Sequence, residues 1–149
     1  MDTTTSTGPM RGIDAAGLLR DLQGLLRRVE DDLHRREQDD AATADALKSR
    51  YAEQTRRQRT ALKYADWRDD YLTQVAAAWV LSGVFLRYVE DNGWVGHPWL
   101  AGADPPERAW AEGAYEGYFR ANPVHSDRDY LLHVAREAAK LSTSRIQGL

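Results

Sequence analysis

Apolar residues in the first third of the chain recur every three or four positions: Leu18, Leu22, Leu25, Val29 and Leu33. That period puts them on one face of a helix, predicted from about Asp14 to Glu37. Asp14 can accept hydrogen bonds from the free amides of the first turn. Arg27, Arg28, Asp31 and Arg35 take the opposite face. The stripe is narrow, which suits a coiled-coil seam or a helical hairpin. Gln38 to Thr43 reads as a break. A second helix, about Ala44 to Tyr64, has a thinner stripe of Leu47, Tyr51 and Leu62. It is expected to be partly exposed and to pair antiparallel with the first.

The pattern changes at Asp66, which caps a third helix. Trp67, Tyr71, Val75, Ala78, Ser82, Phe85 and Val89 share one face, and Leu72, Val80, Leu81 and Val84 cover much of the rest. No charge occurs from Val75 to Leu86. A helix apolar on nearly every side is enclosed by protein or by lipid. This run falls short of the roughly 18 residues that span a bilayer, so the expectation is a buried central helix and no membrane. Asn92-Gly93 ends it, since both residues tolerate left-handed backbone angles. His97-Pro98-Trp99-Leu100 anchors the following loop. Asp104-Pro105-Pro106-Glu107 opens a fourth helix to about Ala121, with Asp as cap, Pro in the first turn and Glu107 closing a capping box. A fifth starts at Ser126, with a second box through Asp129, and continues through Tyr130, Leu131, Val134, Ala138 and Leu141. No segment alternates with period two. The predicted fold is all-α, about five helices: an N-terminal hairpin (14–64), then a compact helical subdomain (65–149). Residues 1–13 read as a flexible leader, without the apolar core of a signal peptide.

Composition narrows the function. A length of 149 residues and 42% hydrophobic content allow one folded domain with a moderate core. Of the 14 aromatics only Tyr51 lies in the first sixty residues, so the core material is in the second part. The chain has no cysteine, which removes disulfides, thiol chemistry and Cys-ligated zinc and fits a cytoplasmic protein. The net charge of -3 argues against a purely electrostatic nucleic-acid binder but leaves room for a local patch. Such a patch runs from Lys48 to Lys63. Its cations are Lys48, Arg50, Arg56, Arg57, Arg59 and Lys63, with one acid, Glu53, for a local charge of +5. On a half-exposed helix these six are candidate contacts to DNA phosphates. The alternative is a solvated face balanced by Asp39, Asp40 and Asp45.

Other chemistry is sparse. Glu90, Asp91 and His97 match no metal motif. Acids before a helix stop are commonly solvated, and Arg87 can pair with either one turn on. His34, His125 and His133 have no neighbouring Ser or Asp at a spacing that suggests a nucleophile, and His133 is expected to face solvent. There is no Gly-Lys-Ser/Thr loop and no Gly-x-Gly-x-x-Gly. Asn122-Pro123 lacks the second proline and aromatic of the target-base motif of amino-methyltransferases, so it reads as a turn. The aromatics from Trp67 to Trp110 could stack on bases; their helical spacing favours core.

The run WRDDYLTQVAAAWVLSGVFLRYVEDNGW, then PWLAG, EGYFRANP and SDRDYLLH, resembles the N-terminal region of adenine-specific DNA methyltransferases of phage growth limitation (type 2 BREX) systems. The motifs fall in the same order over roughly Tyr64 to Leu141. The residues that carry them are Trp67, Arg68, Trp79, Arg87, Glu90, Asp91, Asn92, Gly93 and Trp99, taken as structural. The resemblance implies a helical domain of an S-adenosylmethionine-dependent N6-adenine methyltransferase. The cofactor and Asn-Pro-Pro-Tyr motifs of that family lie beyond this region. It thus assigns this chain no catalytic, cofactor-binding or metal residue. The implied partners are the catalytic domain, DNA and other defence-system proteins. The alternatives are a standalone helical oligomerisation module, through the Leu18–Leu33 seam, or a sequence-independent DNA-backbone binder.

Overall fold

The structure, a computed structural model, describes residues 14–146, with side chains through residue 140. The expected leader and Leu141 as a core side chain lie outside what is described. Five helices follow in order: α1 (Ala15–Asp39), α2 (Ala41–Arg56), α3 (Tyr64–Asp91), α4 (Pro105–Ala121) and α5 (Asp127–Ile146). The fold is all-α, and no strand occurs among the described residues.

Side-chain caps set most of the boundaries. Asp14 accepts the Gly17 amide at 3.0 Å. The break expected over Gln38–Thr43 shrinks to one residue, because Asp40 closes α1 and opens α2. Its N–H donates to the Arg36 carbonyl, and its carboxylate accepts the Ala42 amide and the Thr43 hydroxyl. The Thr43 hydrogen bond is the main reason that its carboxyl is held below the ordinary value. Asp104 caps α4 through the Glu107 amide, while the Glu107 carboxylate takes the Ala103 amide at 2.6 Å. At α5 the Asp129 carboxylate accepts the Ser126 amide and hydroxyl, while the Asp129 amide donates to the Ser126 main-chain carbonyl, so half of the expected box is made.

The second helix ends about two turns earlier than expected. Its residues up to Tyr64 are compatible with a helix, but Gln58 adopts φ 54°. The Arg59 amide then reaches the Gln54 carbonyl and the Gln58 amide that of Thr55. This is a Schellman stop without its usual glycine. Leu62 consequently leaves the α2 stripe, and its carbonyl accepts the Tyr51 hydroxyl at 2.9 Å. A left-handed non-glycine residue costs about 1–2 kcal/mol, and glycine's larger unfolded-state entropy offsets part of the relief. Gln58→Gly is therefore expected to stabilise the chain by about 0.5–1 kcal/mol, read as a higher urea midpoint with unchanged slope.

The chain separates into two compact units, one through Val80 and one from Leu81, with the division inside α3. In the first unit α1 and α2 are in contact, and Leu47, Trp67, Leu72, Ala76 and Val80 are buried. Tyr51, Tyr64, Trp67 and Tyr71 form a ring cluster with centroids 5.1–6.3 Å apart. Tyr64 also donates to Glu37, which is in turn 3.6 Å from Arg68. The core of the second unit is Leu86, Tyr130 and Val134, with Trp99, Leu100, Tyr118 and Phe119 packed against it.

The expectation of a buried central helix holds for only part of α3. Leu72, Ala76, Val80, Leu86 and Val89 are buried, but Leu81 is 64% and Phe85 60% exposed, and Val84 and Tyr88 are exposed beside them. These four stand at i, i+3, i+4 and i+7, one helical stripe, along which Tyr88 meets the Trp94 ring at 5.6 Å. By length and composition α3 is also apolar enough to cross a membrane, contrary to the expectation from its charge-free run. A core helix has the same composition, and the buried positions of α3 are covered by protein in each unit.

Candidate functional site

The basic segment does not present six cations on one helical face. Lys48 and Arg50 lie two positions apart on α2, about 160° around its axis. Arg56 and Arg57 both pair with Glu53, so one carboxylate offsets one of two charges. Arg59 and Lys63 belong to the turn after Gln58. Of the six, Arg50 and Arg59 border a common cleft of about 410 Å³, together with Gln54, Thr60, Asp70 and Gln74.

Aromatic rings form the inner side of this cleft, and their contacts are within the protein. Trp67 stacks on Tyr71 at 5.1 Å with planes 7° apart, and the Arg50 guanidinium lies 5.1 Å over the same Tyr71 ring. The expectation that the aromatics from Trp67 to Trp110 are core holds for Trp67, whereas Tyr88, Trp94 and Trp110 are exposed. What remains for a ligand is cationic and amide chemistry around one carboxylate, Asp70.

The motif residues at the end of α3 make a second constellation. Glu90 is not a solvated acid, since its side chain is 3% exposed. Its carboxylate accepts the amides of Trp99 at 2.6 Å, Leu100 at 2.7 Å and Ala101 at 3.4 Å. Arg87 approaches Glu90 at 3.3 Å and Asp91 at 2.6 Å. Asn92 donates its side chain to the Tyr88 carbonyl. The Gly93 amide meets the Glu90 carbonyl and the Trp94 amide that of Val89, with Gly93 at φ 65°. The Trp99 carbonyl accepts the Tyr130 hydroxyl at 2.9 Å. Burial, with the nearby Glu90 charge second, raises the Tyr130 pKa. These residues tie the end of α3 to the Pro98–Gly102 loop and to α5. A single glutamate that satisfies three successive amides 9–11 residues away leaves no local sequence signal.

The other motif positions are also packed. Arg68 binds Asp69 at 2.8 Å, the main cause of its raised pKa, and Trp79 is partly buried. Each histidine has a protein neighbour, although His97 and His125 are exposed. His97 stacks on Trp110 at 4.0 Å, His125 meets the Tyr118 hydroxyl at 2.7 Å, and His34 lies 4.0 Å from Asp69. His133 stacks on Tyr118 at 5.0 Å rather than facing solvent. Asn122 ends α4 and accepts the His125 amide, the expected turn. No group of His, Cys, Asp or Glu among the described residues is arranged to hold a metal.

Comparison with known proteins supports the resemblance. The chain is 33% identical over 134 residues to the adenine-specific methyltransferase PglX of Streptomyces coelicolor, covering 90% of this chain. It spans only 11% of the length of that protein. No family model matches the chain, and no solved structure matches it significantly.

Proposed function

We propose that the chain is a non-catalytic helical segment of a site-specific, N6-adenine DNA methyltransferase in a BREX-type anti-phage defence system of the cytoplasm. The identity to PglX over 90% of the chain carries this reading. The packing of the motif residues supports it, because Arg87, Glu90, Asp91, Asn92 and Gly93 are engaged in holding a helix end and a loop. The exposed stripe of Leu81, Val84, Phe85 and Tyr88 supports it too, since an apolar face of this kind marks an interaction surface.

In this role the segment braces the catalytic domain, which binds S-adenosylmethionine and acts on DNA. Other defence proteins are its further partners. The described residues do not fit the cofactor. A doubly wound nucleoside site needs parallel strands with helices packed on them, and the five helices offer no sheet. Titration calorimetry tests the reading. S-adenosylmethionine injected into the purified chain is expected to give no binding heat. A saturable heat, or methyl transfer to DNA by the chain alone, overturns the non-catalytic role.

A further inference from the structure

We propose that the cleft between α2 and the start of α3 receives the sugar-phosphate backbone of duplex DNA, through Arg50 and Arg59. The surface takes this role only within the reading of the chain as part of a DNA methyltransferase. It adds where the segment meets DNA and how.

Charge and geometry lead there together. The segment from Lys48 to Lys63 concentrates positive charge in a chain that is acidic overall. Within it Arg56 and Arg57 are drawn to Glu53, and Lys48 lies on another side of α2. Of the remaining three, Arg50 and Arg59 face one cleft and Lys63 does not border it. Both are exposed. Arg50 is held in place by its contact with Tyr71, which restricts its rotamers before any ligand arrives. Arg59 sits on the turn that the Gln58 stop fixes. Gln54, Thr60 and Gln74 on the same cleft are side chains of the kind that contact phosphates.

The same packing excludes base stacking. Trp67 is buried, and Tyr71 is in contact with Trp67 and Arg50. Contacts to phosphate position a protein but carry no sequence information, so binding at this cleft is independent of sequence. It is also weak, because Asp70 repels phosphate from within the cleft.

Fluorescence anisotropy of the full chain with two short duplexes of unrelated sequence tests this. Both are expected to bind alike at about 50 mM salt, with a log–log salt slope of about -2 for two neutralised phosphates. The double variant Arg50→Glu/Arg59→Glu should lose at least about tenfold in affinity. Lys48→Glu should change binding much less. Asp70→Asn should tighten binding, a gain that misfolding cannot imitate. No binding by the unaltered chain at low salt overturns the proposal, as does undiminished binding by the double variant. Either result leaves the calorimetric test of the non-catalytic reading standing by itself.

Discussion

Replacing Glu90 by alanine is expected to lower the unfolding free energy by about 2–5 kcal/mol, chiefly through the backbone amides it leaves unsatisfied. The side chain is 3% exposed and its carboxylate accepts three backbone amides, with Arg87 at its edge. Truncation leaves the Trp99 and Leu100 amides without their acceptor, at about 1–3 kcal/mol for each buried group left unsatisfied. The guanidinium of Arg87 keeps Asp91 at 2.6 Å, so its own loss is smaller. Glu90→Gln retains one acceptor oxygen but not the charge, and should fall about midway, because hydrogen bonds to an ion are roughly twice as strong. Urea unfolding of both variants gives the comparison. A loss below about 1 kcal/mol for alanine, as at an exposed ion pair, contradicts the clamp.

Glu90 also shows where sequence reading stops. All five helices were legible, as were the caps at Asp14, Asp104 and Ser126 and the stop at Asn92-Gly93, because each depends on residues within one turn of itself; α3, however, starts at Tyr64, which leaves the expected cap Asp66 inside its first turn. Glu90 has the same local setting as a solvated acid. Its burial follows from a loop that returns to it, which no periodicity reports. The end of α2 was hidden for a related reason. Its stop uses Gln58 in a conformation that glycine normally takes, so the expected marker was missing.

The candidate surfaces divide in the same way. Six cations between Lys48 and Lys63 were visible as charge. The pairing of Arg56 and Arg57 with Glu53 follows helical spacing, but the cleft that unites Arg50 with Arg59 depends on a helix that ends at Arg56 and a turn that leads back to α3. The apolar character of α3 was equally plain, yet composition cannot say which of its faces is covered. Leu86 and Val89 are buried while Leu81 and Phe85 are exposed, although all four are strongly apolar.

Gly102→Ala is the second substitution expected to have a large effect, about 3 kcal/mol or more. Gly102 has φ 69°, and an added Cβ would lie 2.4 Å from the Glu107 Cβ and 2.7 Å from the Glu107 carbonyl carbon. Left-handed strain in a non-glycine residue contributes about 1–2 kcal/mol, and overpacking against a fixed neighbour about 1–3 kcal/mol. The neighbour here is the first turn of α4, held by the Asp104 cap and by proline in its opening positions, so the loop cannot yield cheaply. Gly93→Ala supplies the control. Gly93 has almost the same φ, 65°, but nothing within 4 Å of the added carbon, and should cost only the strain of about 1–2 kcal/mol. The difference between the two variants in the same denaturation experiment isolates the close approach of the Pro98–Gly102 loop to α4. If both lose the same amount, the loop is free to move away from α4. A clear excess for Gly102 means that the glycine ending the Pro98–Gly102 loop is required by packing, as Glu90 is required by the amides of Trp99, Leu100 and Ala101.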